Sequence, residues 1–307
     1  MTDNKNNIKG YSFAIQRKFC PNNPISVVQA SGEDALEFLQ GQFTQDISKL
    51  KNQDIAYGFL LTQKGRVFGD AHLRRLGAED WQIISWSLTA AALIARLDAF
   101  IIADDVELAD GTAGWRGWRI GTAEGGLAGS QAGVGPGDLV GLPVPAAVSM
   151  SWSYVIAPAK AAPQWADGWE SASVDQFETV RIAAGWPQVT ADLGPDDFPQ
   201  EGGRHLAGVS FTKGCYLGQE VMARLAATGR VRRGLALVRG RGAAPVGEFN
   251  LAQGERKIGS LRSRVAVNDG GWIGLAMLQL AHFEETQPFT DEAGVSVEFG
   301  GMVGAAE

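Results

Sequence analysis

Val209-Ser210-Phe211-Thr212-Lys213-Gly214-Cys215-Tyr216-Leu217-Gly218-Gln219-Glu220-Val221-Met222-Ala223-Arg224 is the most informative stretch of this 307-residue chain. An extended apolar start is broken by glycine and followed by helix-compatible residues as far as Gly229. Glu220 and Arg224 stand four apart, in the favourable order for a helical ion pair. Cys215 is therefore expected just ahead of a helix N-terminus and two residues after Lys213. A helix dipole and a nearby ammonium both stabilise a thiolate, which makes Cys215 a candidate reactive thiol. A lone cysteine is equally at home as an inert, buried small side chain, and both readings stay open at the level of sequence. A hydrolase would need a base within reach of the thiol; His205 is near in sequence, but no oxyanion-hole motif accompanies it.

Downstream, six arginines (Arg224, Arg230, Arg232, Arg233, Arg239, Arg241) occur between Arg224 and Arg241 with no acidic residue among them. They make an anion-binding face for carboxylates, phosphates or RNA, or a solvated hairpin whose arginine stems cover apolar surface. The whole chain is acidic, with 27 Lys+Arg against 34 Asp+Glu and a net charge of −7, so it is not coated for bulk nucleic-acid binding. Two cysteines, Cys20 and Cys215, cannot form a disulfide scaffold or a four-cysteine metal site within one chain. The three histidines (His72, His205, His282) show no ligand spacing, so no stable metal is expected in the isolated chain. The polar start lacks an apolar core segment for secretion, and Leu88–Ala95 stops at Arg96, too short to span a bilayer. A cytoplasmic protein with no membrane partner is expected.

Forty glycines imply many turns and short elements. Residues 25–30 read as a strand leading to a helix capped by Ser31, with Asp34 completing a capping-box variant and Gly41 as its stop. From Tyr57 to Ser85 three apolar runs are separated by Lys64-Gly65-Arg66 and by Gly77-Ala78-Glu79-Asp80, the pattern of two antiparallel hairpins. Leu88 to Ile101 reads as a helix. Eleven glycines fall between Gly111 and Gly141; Trp115, Trp118 and Ile120 suggest one strand there, and the rest a long loop through Pro143 and Pro145. Gly133-Val134-Gly135-Pro136-Gly137 fails as a dinucleotide fingerprint, lacking the third glycine and a following helix. Ser173-Val174-Asp175-Gln176 opens a helix to Ala184 with Val174, Phe177, Val180 and Ala184 as its apolar stripe. After Gly234, short apolar runs broken by glycine predict a small barrel or sandwich.

Lys213-Gly214-Cys215-Tyr216-x-Gly218-Gln219-Glu220 resembles the K-G-C-Y-x-G-Q-E signature of the YgfZ family of folate-binding proteins. Phe38-Leu39-Gln40-Gly41-Gln42-x-Thr44-x-Asp46 resembles that family's N-terminal motif. Lys64-Gly65-Arg66, Arg181-Ile182-x-x-Gly185-x-Pro187 and Phe198-Pro199-Gln200-Glu201 are similar to further family stretches. The resemblance implies an α+β fold related to the glycine-cleavage T protein: three lobes around a central folate cavity, antiparallel sheets with flanking helices, and a C-terminal β-barrel. On this basis residues 1–50 and 168–232 form discontinuous lobes carrying the cavity and signature, 51–167 an antiparallel α+β lobe with the glycine-rich loop, and 233–307 the barrel. The implied role is a folate-binding accessory to iron–sulfur cluster assembly or maintenance, with assembly factors or client iron–sulfur enzymes, including a tRNA-modifying one, as partners. Tetrahydrofolate or a derivative is the implied cofactor.

Carried onto this sequence, Cys215 is the active thiol and Lys213, Gly214, Tyr216, Gly218, Gln219, Glu220 and Arg224 surround it. Asp70, Arg66, Gln200, Glu201 and Arg230 are the candidate folate contacts. Two departures separate the chain from the T protein. In Gln63-Lys64-Gly65-Arg66-Val67-Phe68-Gly69-Asp70 only Asp70 keeps a carboxylate, and Arg66 replaces a glycine. The glutamate expected to meet the pterin is Ala183, which has no acceptor. A folate-dependent aminomethyltransferase or demethylase is the alternative reading, and a tRNA-binding module built on the arginine run a lower one, since no aromatic stacking motif accompanies those arginines.

Overall fold

Glycine-marked hairpins organise the first half of the chain. In the computed structural model, which describes residues 17–121, 140–142, 152–161, 169–203, 208–229, 231–291 and 294–304, strands β3 (Ile55–Leu61), β4 (Val67–Arg75) and β5 (Asp80–Ser85) pair antiparallel across the two expected turns. Gly65 takes φ +70° at the first turn, a conformation that costs glycine little. β2 (Ser26–Ser31) and β6 (Glu107–Asp110) complete a five-stranded sheet in the order β3-β4-β5-β2-β6. Helices α1 (Ala35–Gln42) and α2 (Ala90–Asp98) cover one face, where Phe38, Leu39, Leu73, Trp81, Leu93 and Leu97 share a core. Thr89 caps α2 by accepting the Ala92 N–H.

Two sequence expectations change at α1. Ser31 is the last residue of β2, paired with Asp80 and Glu107, and the N-cap is Asp34, which makes no side-chain cap. Gly41 does not stop the helix, which runs on to Gln42 with Phe43 as C-cap. Sheet pairing runs through Ser31, which keeps it in the strand and moves the helix start three residues on.

A second five-stranded sheet has the order β10-β1-β7-β9-β8, formed by β1 (Lys18–Pro21), β7 (Trp115–Gly121), β8 (Val140–Leu142), β9 (Trp152–Pro158) and β10 (Glu170–Ser171). Val140–Leu142, expected as loop, is thus a strand paired with β9. The rejected fingerprint at 133–137 lies outside the described residues.

The chain divides into two compact units, one comprising 15–172 with 206–224, the other 1–14 with 173–205 and 225–307. Both sheets above belong to the first. In the second, α3 (Val174–Ala183) opens on the expected capping box of Ser173 and Gln176. Its stripe holds at Phe177 and Val180, which are buried, but Val174 is exposed. Arg181, almost fully buried, donates to Asp192 and Glu178 and to the Trp186 carbonyl, fastening the following loop to the helix. Burial alone would lower its pKa; Asp192 and then Glu178 reverse that and hold it charged. The arginine of the Arg181–Pro187 motif is therefore occupied in structure.

The C-terminal module is a closed barrel, not a sandwich, in the order β11-β14-β13-β12-β15-β16. Its strands are β11 (Arg233–Arg241), β12 (Asn250–Gln253), β13 (Arg256–Val267), β14 (Gly271–Gln279), β15 (Phe289–Asp291) and β16 (Ser296–Met302). Closure leaves no unpaired edge. Val238, Leu251, Ile258, Leu278, Phe289 and Val297 form its core. Gly240 is required where the Trp272 indole crosses β11, since a Cβ would lie 2.2 Å from the ring. Among the described residues no helix is long and apolar enough to cross a membrane.

Candidate functional site

The two longest motifs, 38–46 and 213–220, meet in the first unit and, with the residues just ahead of the second, form one hydrogen-bonded module. Gln40 anchors the first: its Nε2 donates to Asp46 Oδ1 at 2.9 Å and its Oε1 accepts the Ile47 N–H at 2.9 Å. Asp46 also accepts from the Ser48 hydroxyl and N–H. Its carboxyl sits below its usual range, chiefly through the Ser48 hydroxyl and then the Gln40 amide. Thr44, fully buried, donates to the Gly208 carbonyl at 2.5 Å and accepts the Phe59 N–H at 2.8 Å. The Ser210 N–H donates to the Thr44 carbonyl, and the Leu217 N–H to the Gly41 carbonyl, both at 3.0 Å.

Each end of the signature is fixed differently. Lys213 is buried, and its Nζ donates to the carbonyls of Gln40 (2.7 Å), Phe43 (2.6 Å) and Gln45 (3.0 Å). Its ammonium thus engages the carbonyls at and just beyond the end of α1. Burial pushes the ammonium down to about 8, with Asp46 pulling the other way. Tyr216 is also buried, its ring centroid 5.3 Å from Lys213 Nζ, and burial pushes its phenol up to about 12. Between them Cys215 is exposed, not buried in the core. Gly218 has φ +83°, and a Cβ there would lie 2.7 Å from the Thr62 carbonyl oxygen. Gly214 is not needed sterically, since nothing lies within 4 Å of a Cβ at that position. Gln219 begins α4 (Gln219–Thr228), Glu220 and Arg224 are exposed on it, and Gly229 ends it in a left-handed conformation. Gly65, in the Lys64-Gly65-Arg66 turn, abuts Val221, so that turn and half-buried Arg66 belong to the same module.

Asp70 lies on β4, on the sheet face opposite the helices, and accepts from Tyr57 Oη at 2.8 Å. Sequence reasoning did not find the aromatic groups around it. His72 lies 5.1 Å from the Tyr57 ring and 6.0 Å from Trp86, and Trp86 stacks on Tyr154 at 4.4 Å. The alternation Tyr57/Phe59 opposite Asp70/His72 was the available signal, because period-two spacing puts these residues on one face. Trp86 and Tyr154 come from outside that hairpin and carry no such mark.

Gln200 and Glu201 belong to the other unit. Glu201 is buried, accepts from Arg233 Nε and Nη2 at 3.1 and 2.9 Å, and caps the Phe198 N–H at 2.8 Å. Arg233 also pairs with Asp197 at 2.9 Å, and Arg239 pairs with Asp269. Two members of the arginine run are therefore held by carboxylates of their own unit. Arg230 and His205 lie outside the described residues. Among the described residues, no group of three or more His, Cys, Asp or Glu side chains is arranged to hold a metal ion.

Two family profiles match the chain: "GCVT N-terminal domain" over residues 23–120 and "CAF17, C-terminal beta-barrel domain" over residues 232–299. The chain is 26% identical to the "tRNA-modifying protein YgfZ" of Sodalis glossinidius over 278 residues, covering 81% of each chain. It is 27% identical over 231 residues to the "Iron-sulfur cluster assembly factor IBA57 homolog, mitochondrial" of Mycosarcoma maydis, covering 67% of this chain and 53% of that one. Among solved structures it resembles the glycine cleavage system aminomethyltransferase T of Bartonella henselae, with TM-score 0.70 and 16% identity over 92% of this chain and 84% of that one, a likeness of fold.

Proposed function

We propose that this chain, whose matches join a GCVT N-terminal domain to a CAF17 C-terminal barrel and include YgfZ proteins, is a folate-binding accessory protein of the YgfZ type for the assembly or maintenance of iron–sulfur clusters, with Cys215 as its working thiol. The observation that carries the reading is the exposure of Cys215 on a loop whose flanking residues, Lys213 and Tyr216, are both buried. An accessible sulfur on a fixed backbone is suited to nucleophilic, ligand or redox work at a partner's surface. Two relatives, named a tRNA-modifying protein and an iron–sulfur cluster assembly factor, support the same area of chemistry.

Support for a reduced folate comes from the surroundings of Asp70. A pterin is flat and presents ring N–H and amino donors; a carboxylate bonded to Tyr57, at one end of a row of rings that runs through His72 and Trp86 to Tyr154, matches that chemistry. Asp70 would accept from the ring, and the aromatic side chains would exclude water around it. With alanine at 183, acceptance falls to a group other than a glutamate at that position. Equilibrium titration with tetrahydrofolate tests the ligand: saturable binding supports it, and no binding at millimolar concentration removes it.

A second reading, folate-dependent transfer of an aminomethyl or methyl group, is favoured by the retained carboxylate of Asp70. Transfer of a one-carbon unit to tetrahydrofolate from glycine-derived or N-methylated substrates by the pure protein would establish it, and an inactive pure protein that still binds folate leaves the accessory role.

A further inference from the structure

Lys213 is the one signature residue whose charged group is buried, and the three carbonyl oxygens within reach of Nζ match the three protons an ammonium has to donate. Gln40 lies in the last turn of α1 and Phe43 is its C-cap, so these acceptors belong to a helix end where carbonyls lack intrahelical partners. A cation there also meets the negative end of the helix dipole. On either side of Lys213 the backbone is tied to the same segment, by Ser210 N–H to Thr44 and by Leu217 N–H to Gly41. Between Ser210 and Leu217 the loop bearing Cys215 is held on residues 40–45 by these two backbone bonds and by the charged Lys213.

We propose that Lys213 is a positioning residue for Cys215: it gives its ammonium to the carbonyls of Gln40, Phe43 and Gln45, and so fixes the loop that presents the thiol, without acting on thiol or ligand itself. This rests on the reading of Cys215 as the working group. Arginine is no substitute, because a planar guanidinium fork does not match three convergent carbonyls. Methionine keeps the length and the apolar stem but leaves all three acceptors bare.

The test begins with the unaltered protein. Under limiting reductive methylation, read by peptide mass spectrometry, Lys213 should react at least about tenfold more slowly than exposed Lys64. In folded Lys213→Met, hydrogen exchange at the Leu217 and Ser210 amides should accelerate at least about tenfold while barrel amides stay unchanged, and the rate of Cys215 alkylation by iodoacetamide should change with it. In cells, Lys213→Met should reduce iron–sulfur enzyme activity in a Cys215 background and cause no further loss in a Cys215→Ser background. Methylation of Lys213 as fast as Lys64, or a folded Lys213→Met with unchanged Leu217 exchange and unchanged alkylation, overturns the proposal, as does a loss that persists without Cys215. A fully active Cys215→Ser would instead strike the functional reading of the thiol, and the exchange, methylation and alkylation results would still decide whether Lys213 anchors the loop.

Discussion

The Thr44 hydroxyl donates to the Gly208 carbonyl oxygen at 2.5 Å, across 164 residues of sequence, while Thr44 Oγ1 itself accepts the Phe59 N–H at 2.8 Å. One buried side-chain atom thus joins the N-terminal motif, the central sheet and the entry to the signature. Thr44→Val keeps the shape but leaves a buried carbonyl and a buried N–H unsatisfied, so the variant should lose about 2–3 kcal/mol of stability. Urea unfolding measures this; a loss within about 0.5 kcal/mol would show that the bridge is dispensable.

The glycines of the signature are expected to differ. Gly218→Ala forces a side chain into a left-handed backbone and against the Thr62 carbonyl, and should cost about 1–3 kcal/mol. Gly214→Ala meets nothing within 4 Å and should stay within about 0.5 kcal/mol of the parent. Thermal or urea midpoints of the two variants check the contrast, and equal losses would refute the assignment.

Much of the fold was legible in the sequence and part of the site was not, for physical reasons. The hairpins at 64–66 and 77–80 and the Ser173–Gln176 capping box depend on local backbone chemistry, and the structure has them where the residues put them. The start of α1 was misplaced because Ser31 satisfies its backbone across the sheet, a non-local choice. The engagement of Lys213 leaves no trace in residue types, since its partners are main-chain carbonyls about 170 residues upstream, between 168 and 173 positions away. Likewise the arginine run overstates the free positive charge, because Glu201 and Asp269, which hold Arg233 and Arg239, lie outside the run.

Stability should respond to pH through Lys213. Its ammonium titrates near 8 in the folded protein and near 10.5 when unfolded. Between those values the unfolded chain binds more protons, so stability rises with pH there. The cost of burying the charge is fully present below about pH 8 and is relieved towards 10.5, a gain limited by the N–H···O bond lost on deprotonation. Wild-type protein should therefore gain stability relative to Lys213→Met across that window in urea titrations. Parallel curves for the two proteins would contradict this.

Asp70→Asn removes a charge that accepts from Tyr57 and, by proposal, from the pterin. Tetrahydrofolate affinity should fall about tenfold to a hundredfold, as expected for loss of a charge-assisted hydrogen bond. Calorimetric titration of the folded variant reads this directly, and unchanged affinity would move the ligand away from Asp70.

The central claim is the role of the exposed thiol in supporting iron–sulfur enzymes. A strain lacking the gene, supplied with either the wild-type chain or Cys215→Ser at equal protein levels, should be assayed for the activity of an iron–sulfur enzyme such as a tRNA methylthiotransferase. Restoration by the wild type and failure of Cys215→Ser is the expected result; full restoration by Cys215→Ser would contradict the claim.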